Sequence, residues 1–238
     1  LDALGLQRMA AANALADAGL TFADVDGLLT TPIRVENWAM PCGVVSEGLG
    51  IQARYLATLD VAGASGVAMA HHAAMAVASG QCETVLCVTG QNMLSFQSRG
   101  DAVQKLADAG WAHPDFEMPH GPLVPTLYAL AAQRHMHEYG TTHEQLAQVA
   151  VTMRENASLN PFAHKKELIS ITDVMQSRMI TSPLRMLDCA LVSDGAVAFI
   201  VTTPERARDL KQMPVKLLGH GYGHSHTYIG DYKNVTTT

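Results

Sequence analysis

The sequence predicts an α/β fold with more than three layers, that is, more than a single sheet covered by helices on both faces. One stretch of the chain carries this prediction. Residues 54–62 have the pattern of a strand and run into a tight turn of small residues. A helix is predicted over 64–79, and a continuous apolar strand of the parallel-sheet type over 84–89. Strand, glycine turn, helix and strand within about 35 residues form a βαβ unit. Because the helix is apolar around most of its circumference, we expect layers on both of its sides.

The segments before this unit predict a helix, a turn and a short strand. Apolar residues recur at helical spacing over 1–20, and Gly19 has the position of a C-terminal glycine. A turn over 23–26 then leads into a short strand that ends near Thr30. The stretch 32–50 has no clear period and is predicted as a loop with a short helix.

The segments after the unit predict a long excursion, several helices and further strands. Glycine and proline interrupt every pattern between 93 and 125, which predicts a functional or covering segment. Helices are predicted over 126–138 and 142–158, and Thr142 with Gln145 has the pattern of a capping box. The other predicted elements are a short helix from Thr172, an apolar strand over 196–201, a helical turn from Pro204 and a strand over 215–218.

Composition argues against several classes of protein. The 238 residues are 48% hydrophobic and 16% charged, which is typical of a folded globular chain. The net charge of −6 shows no basic excess, so we expect no nucleic-acid partner.

No apolar run approaches the roughly 18–20 residues of a membrane span. No signal peptide is visible at the N-terminus, so we expect a cytoplasmic protein. Because the chain does not begin with Met, we expect residues before Leu1.

The cysteines predict free thiols. The chain has four, with no CxxC pair and no histidine at the spacing of a zinc site: Cys42, Cys82, Cys87 and Cys189. Scattered cysteines in a cytoplasmic chain of this size are typically reduced. We therefore expect neither a disulfide nor a metal site.

Several short motifs follow one another in the second half of the sequence: YGTT at 139–142, NASLNP at 156–161, SRMI at 177–180, SPLR at 182–185, LDC at 187–189 and SDGA at 193–196. Earlier, GASG at 63–66 precedes ASG at 78–80. In this order the motifs resemble the thiolase superfamily, most closely the sterol-carrier-protein-type thiolases and thiolase-like proteins. GASG resembles the nucleophile turn of that family, and the helix after it resembles the family's buried helix.

The resemblance implies a fold, a substrate class and an assembly. The fold is the five-layer αβαβα thiolase fold, of which 1–212 would be the N-terminal half, with a covering loop region over about 93–185. Residues 213–238 would begin the second half. The substrates would be CoA thioesters in Claisen-type carbon–carbon bond chemistry, with no bound cofactor, and the assembly would be a homodimer. In such enzymes a cysteine at a helix N-terminus accepts the acyl group as a thiolate, which the helix dipole stabilises.

This sequence departs from the family at the nucleophile. When Ser65 and Gly66 are matched to the family's turn, the nucleophile position falls on Gly63, which cannot be acylated. Cys82 and Cys87 lie beyond the helix and are not expected to substitute. The resemblance also includes members that lack the cysteine and use an aldol route, which needs a base and an oxyanion site but no acyl-enzyme. Those members often work with a small partner that carries a zinc ribbon and an OB fold.

Three functions stay open at this point. The first is an acetyl-CoA acyltransferase-like enzyme of carbon–carbon bond chemistry that works without an acyl-cysteine. The second is a cysteine-free retro-aldolase or lyase on a CoA thioester, with a zinc-ribbon and OB-fold partner. The third is a non-catalytic scaffold or acyl-CoA-binding subunit.

Candidate site residues come from the turn, from histidines and from the resemblance. Backbone N–H groups of Gly63, Ala64, Ser65 and Gly66 could bind an oxyanion or a thioester carbonyl. Ser65 is expected to serve packing rather than to act as a nucleophile, because no Asp/His pair has a recognisable spacing. One of His71 and His72 is expected to be a hydrogen-bonded core or interface residue. The other candidates are His220, His224 and His226 as catalytic groups, Tyr128, Cys189 and Ala190 as CoA contacts implied by the resemblance, and Asp188 and Asp194 as turn caps.

Overall fold

The computed structural model describes residues 1–36, 38–98, 100–101, 112–120, 123–226 and 228–236. The chain forms two compact units. The first comprises Leu1–Ser98 and Ser193–Tyr222, and the second comprises Arg99–Val192 and Gly223–Thr238. Part of the predicted excursion, at 99, 102–111 and 121–122, lies outside the described residues.

The helices and strands follow most of the predicted order. In the described residues they are α1 Ala3–Ala18, β1 Gly27–Thr30, α2 Pro41–Leu49, β2 Tyr55–Thr58, α3 Ser65–Ala78, β3 Thr84–Asn92, α4 Met93–Phe96, α5 Val124–Tyr139, α6 His143–Leu159, α7 Ile171–Gln176, β4 Met179–Thr181, β5 Leu184–Arg185, β6 Asp194–Thr202 and α8 Pro204–Arg208. Strand β2 is shorter than the predicted 54–62 because its last residues belong to the turn before α3.

The first unit is built on a four-stranded sheet with the order β2-β1-β3-β6. Strand β1 pairs in parallel with both β2 and β3, so that Gly27 lies opposite Tyr55 on one side and Val85 on the other. Strand β6 pairs antiparallel with β3 along its whole length. The predicted βαβ unit is confirmed, with β1 between its two strands. The carboxyl ends of β1, β2 and β3 therefore meet at one edge of the sheet, where parallel α/β sheets usually bind ligands.

Alternating side chains give the sheet two buried faces. Leu28 and Leu86 pack with Leu15 of α1 and Val45 of α2 on one face. On the other face Leu29, Val85 and Cys87 pack against Met69, Ala73 and Ala76 of α3. The period of two along each strand separates these sets. Each buried aliphatic side chain contributes roughly 1.5–3 kcal/mol, so both helical layers are fixed to the sheet mainly by burial.

Local end signals define the helices as the sequence predicts. Gly19 ends α1 in the left-handed conformation, with φ of 76°. In the second unit Gly140 ends α5 with φ of 67°. Thr142 and Gln145 form the predicted capping box at the start of α6. A small core in this unit includes Ala147 and Val151 of α6 together with Val174 of α7; the predicted helix near Thr172 is thereby confirmed.

One face of helix α3 is covered in the described residues, where the sheet packs on the side that carries Met69 and Ala73. Val67 and Met75 on the other face are 63% and 45% exposed, and a layer on that side stays a prediction. One expectation about the first unit is wrong, because residues 215–218 do not form a strand. Val215 is 98% exposed, and no described strand lies beside it to pair with its backbone groups.

Among the described residues, the helices are too short or too polar for any of them to cross a bilayer.

Candidate functional site

The turn between β2 and α3 lies at the carboxyl edge of the sheet and has an unusual backbone. After β2 the chain forms a 3₁₀ turn over Ala62–Ala64, and α3 begins at Ser65. Ala62 has φ of 50°, a left-handed conformation that residues with a Cβ rarely adopt. Outliers of this kind persist where surrounding contacts hold them, and they are concentrated at functional sites.

The Ser65 side chain holds this turn together. Its Oγ accepts a hydrogen bond from the Val61 N–H at 3.0 Å and donates one to the Ala62 carbonyl at 2.7 Å. Ser65 is only 5% exposed. A serine nucleophile needs a base to accept its proton, and here a carbonyl oxygen accepts it. The geometry therefore favours the structural role that the sequence predicts for Ser65.

Replacing Ser65 with Ala should destabilise the turn without removing a nucleophile. Two hydrogen bonds are lost and the Val61 N–H loses its partner, so we expect unfolding to become easier by about 1–2 kcal/mol. Thermal denaturation measures the effect, with Ser79→Ala as the control, since the Ser79 hydroxyl donates to the Ala76 carbonyl at the exposed end of α3. Complete loss of activity at an unchanged melting temperature would contradict this role.

Gly63 leaves open space in the turn. A Cβ built on Gly63 meets no atom within 4 Å, and the residue does not have the positive φ that favours glycine. Neither packing nor backbone conformation therefore requires glycine here. The N–H groups around it are engaged: Ala64 donates to the Val61 carbonyl, Val61 donates to Ser65, and Ala62 donates to Asp60. The described residues offer no acceptor to the Gly63 N–H, which leaves it available to an oxyanion.

The cysteines do not supply a thiol to this turn. Cys82 and Cys87 are buried on the α3 face of the sheet, and Cys87 Sγ lies 3.8 Å from the Met69 carbonyl. Burial raises the pKa of both thiols. The half-buried Cys42 is the second residue of α2, and its N–H donates to Thr58 Oγ1 at the end of β2. Cys189 belongs to the second unit, and burial raises the pKa of its thiol as well.

The rate of alkylation should distinguish the buried thiols from the half-buried ones. In native protein at neutral pH we expect iodoacetamide to leave Cys82 and Cys87 unmodified, because a raised pKa lowers the thiolate fraction and burial blocks access. The half-buried Cys42 should react most quickly, and Cys189, which is half-buried but has a raised pKa, should react more slowly than Cys42 and faster than the two buried thiols. Peptide mass spectrometry measures each site, and labelling in urea is the control. Labelling of Cys87 as fast as Cys42 would show that the sheet is not packed as described.

The candidate histidines are divided between the two units. His220 belongs to the first unit, where its ring stacks on His71 of α3. His224 and His226 belong to the second unit, where Tyr232 Oη donates to the His226 carbonyl. The buried His71 Nδ1 has no hydrogen-bond partner among the described residues, so the expected hydrogen bond is replaced by ring stacking. Partial burial lowers the pKa of His71, and the neighbouring His220 and His72 lower it further.

Other candidate residues have simple local roles or exposed surfaces. Asp188 accepts the Arg185 N–H, and Asp194 accepts the N–H groups of Leu94 and Ser95, so both are the turn caps that the sequence predicts. In the second unit Tyr128 is 69% exposed on α5, Cys189 is half-buried and Ala190 is exposed. Their contact with CoA stays a prediction. No group of three metal-ligating side chains occurs within the described part of the chain.

The sequence analysis missed an ion pair beside the turn. Arg34 follows β1 and Asp60 follows β2, and the Arg34 Nη2 lies 2.9 Å from both carboxylate oxygens of Asp60. The available signal was positional: Arg34 comes shortly after the predicted strand that ends near Thr30, and Asp60 lies near the end of the strand predicted over 54–62. Because parallel strands end at the same edge, charges in these two places are brought together.

Comparisons with known proteins show which family the sequence resembles. A family model described as "Thiolase, N-terminal domain" matches residues 1–205. An acetyl-CoA acetyltransferase of Methanothermobacter thermautotrophicus is 34% identical over 94% of this chain and 58% of its own length. A 17-hydroxy-3-oxo-4-pregnene-20-carboxyl-CoA lyase of Mycobacterium tuberculosis is 36% identical over 97% of this chain and 61% of its own length. The chain thus spans about three fifths of these relatives.

Solved structures share the fold. The structure of an "Ltp2-ChsH2(DUF35) aldolase" is 32% identical, with a TM-score of 0.82 over 99% of this chain and 61% of the other. An acetyl-CoA acetyltransferase from Syntrophomonas wolfei matches at 15% identity with a TM-score of 0.67, over 89% of this chain and 62% of the other, and shows the fold alone. The predicted thiolase-like α/β fold is confirmed. With the family model covering most of its length, the chain belongs to the thiolase family and contains that family's N-terminal domain.

Proposed function

We propose that the chain is part of an enzyme that cleaves a carbon–carbon bond of a CoA thioester by a retro-aldol reaction, without an acyl-cysteine intermediate. The observation that carries the proposal is Gly63, which gives the turn before α3 an open space and an N–H group but no nucleophile. Relatives whose names describe a lyase and an aldolase, at 36% and 35% identity, support this choice.

The reaction balances without a covalent enzyme intermediate. A base removes the proton of the 3-hydroxyl group, the bond between carbons 2 and 3 breaks, and carbon 3 becomes a carbonyl. The electron pair passes to carbon 2 and into the thioester carbonyl, giving an enolate that takes up a proton. The products are an aldehyde or ketone and a shorter acyl-CoA. Only the enolate step needs the turn, where the Gly63 N–H and the α3 dipole would stabilise the developing negative charge.

The reaction also needs a base that accepts the proton of the 3-hydroxyl group. His220, His224 and His226 are the candidates on this chain, because a neutral imidazole can accept a proton near neutral pH. His220 stacks on His71 in the first unit, so a role for it would require that this stacking opens.

The runner-up is an acyltransferase that forms carbon–carbon bonds. The 34% identical acetyl-CoA acetyltransferase favours it. The missing side chain at residue 63 weighs against it, because acyl transfer through the enzyme needs a nucleophile in this turn. A non-catalytic acyl-CoA-binding subunit would keep the turn and lack the base.

Partners and location belong to the same proposal. The name "Ltp2-ChsH2(DUF35) aldolase" joins two components, which supports a second protein chain as partner here, with a zinc ribbon and an OB fold as the expected type. A homodimer, a cytoplasmic location and a role in lipid metabolism are proposed on the family resemblance.

Product analysis of the full-length protein tests the function. The protein, alone and with its partner, is incubated with 3-hydroxyacyl-CoA thioesters that carry secondary or tertiary hydroxyl groups. We expect equal amounts of a shorter acyl-CoA and a carbonyl compound, and no acyl adduct on the protein by mass spectrometry. Products that form only from 3-oxoacyl-CoA and free CoA would support the acyltransferase instead. Binding of acyl-CoA without turnover would support the non-catalytic subunit.

A further inference from the structure

We infer that Arg34 and Asp60 form a clamp that positions the turn carrying Gly63, so that Arg34 acts on the reaction through the backbone rather than by touching substrate. The effect of this clamp on catalysis rests on the proposed function. The geometry of the clamp is independent of that function, because every contact that builds it belongs to the described residues of the first unit.

The clamp acts on the one strained residue of the turn. Asp60 Oδ1 accepts the Ala62 N–H at 3.3 Å, and Ala62 has the left-handed φ of 50°. Ser65 holds the same residue from the other side, through the Ala62 carbonyl at 2.7 Å. The peptide groups on both sides of the Ala62 Cα are therefore tied to side chains. The peptide on the C-terminal side carries both the Ala62 carbonyl and the Gly63 N–H, so the hydrogen bond from Ser65 and the one to Asp60 together set the direction of that N–H.

Arg34 fixes Asp60 in the position that this requires. The Arg34 Nη2 lies 2.9 Å from each carboxylate oxygen of Asp60. The backbone N–H of Arg34 donates to Gln91 Oε1 at 3.1 Å. The neighbouring residues Ile33 and Val35 are 6% and 5% exposed, so the backbone of Arg34 is anchored in a core. Both side chains are partly exposed, at 35% and 43%, and the charged donor restricts the orientation of the carboxylate further than water alone would.

The clamp connects the ends of three parallel strands. Arg34 follows β1, Asp60 follows β2, and Gln91 lies near the end of β3. The turn is therefore held in position by residues at the ends of all three parallel strands rather than by β2 alone. Since the guanidinium is already paired with a carboxylate, its charge is largely neutralised toward an approaching thioester. This arrangement fits a positioning residue better than a direct ligand of the substrate.

Hydrogen exchange tests the positioning independently of catalysis. The double variant R34Q/D60A removes both charges and leaves the net charge unchanged. We expect the Val61 and Ala62 amides to exchange about tenfold faster or more, the effect of losing one charge-assisted hydrogen bond. Strand β3 should keep its protection. The control is R54Q, which removes an arginine at the opposite end of β2 that lies 3.8 Å from Asp26. Unchanged exchange at 61 and 62 would overturn the clamp.

Kinetics then separate positioning from substrate binding. With the full-length protein and its active 3-hydroxyacyl-CoA, R34Q should lower kcat about tenfold while KM changes little, since only the transition-state geometry is disturbed. R34K keeps the cation and should recover most of kcat. A rise in KM with kcat unchanged would show instead that Arg34 contacts substrate. If no retro-aldol activity exists, the proposed function fails while the exchange experiment still decides whether the clamp is correct.

Discussion

Replacing Gly63 with Cys is expected to give a protein that becomes acetylated by acetyl-CoA at residue 63, a reaction that the natural sequence cannot perform there. The side chain has room, because a Cβ at this position meets no atom within 4 Å. The thiol would lie just before the 14-residue helix α3, whose dipole favours a thiolate. We expect its pKa to fall below the usual value of about 8.5. Mass spectrometry of the intact protein and of its peptides measures the adduct.

A thiol at the opposite end of the same helix is the matched control. Ala78 is exposed and is the last residue of α3, where the dipole disfavours a negative charge. A78C should therefore react with iodoacetamide as an ordinary thiol and should not take an acetyl group from acetyl-CoA. Equal acetylation of both variants would mean that the turn provides no special activation, and the oxyanion role of the Gly63 N–H would lose its basis. Acetylation of the unsubstituted protein within 60–66 would contradict the cysteine-free mechanism itself.

The turn before α3 has most of the features that acyl transfer and enolate formation have in common. The turn has the helix terminus, an available N–H group and the space that a nucleophile would fill, and it has no sulfur. Claisen chemistry through an acyl-enzyme needs a nucleophile, whereas cleavage through an enolate needs a base and charge stabilisation. In the proposed function the side chain at residue 63 is therefore one of the features that distinguish the two reaction types.

Local signals made much of the fold predictable. The βαβ unit, the glycine ends of α1 and α5 and the capping box at Thr142 all depend on residues that are close in sequence. Predictions that depend on residues far along the chain had mixed outcomes. The parallel strands were confirmed. The apolar circumference of α3 predicts layers on both sides; in the described residues the sheet covers one face, and Val67 and Met75 are exposed on the other. Residues 215–218 have strand propensity, yet a strand requires a neighbour, and none lies beside them among the described residues.

The local features of the site were predictable, and its contacts between distant residues were not. The position of the turn and the structural role of Ser65 follow from the order of residues around 63–66. The pair of Arg34 and Asp60 does not, since 26 residues separate its members and they meet only through the parallel register of β1 and β2. The stacking of His220 on His71 likewise joins residues that no spacing rule relates.

Replacing Gly90 with Ala is expected to be the most destabilising single-methyl change in the sheet. Gly90 of β3 lies opposite Ala196 of β6. A Cβ on Gly90 would overlap the Ala196 side chain and would lie 3.0 Å from the Ala196 Cα and 3.1 Å from Gln7 Cγ. Gln7 is fully buried and donates from Nε2 to the Gly90 carbonyl, so it cannot move away freely. We expect a loss of about 2–3 kcal/mol, measured by urea denaturation.

A second glycine and a compensating change make this prediction specific to packing. Gly195 lies in the same strand pair, opposite Gln91, and a Cβ there meets nothing within 4 Å. G195A should therefore change stability by only a few tenths of a kcal/mol, or slightly raise it, because alanine restricts the unfolded chain. In the double variant G90A/A196G the overlapping methyl is removed, and much of the lost stability should return. The coupling between the two sites then measures the contact of β3 with β6 directly. Equal stability of G90A and G195A would show that the two strands are not as close as the register requires.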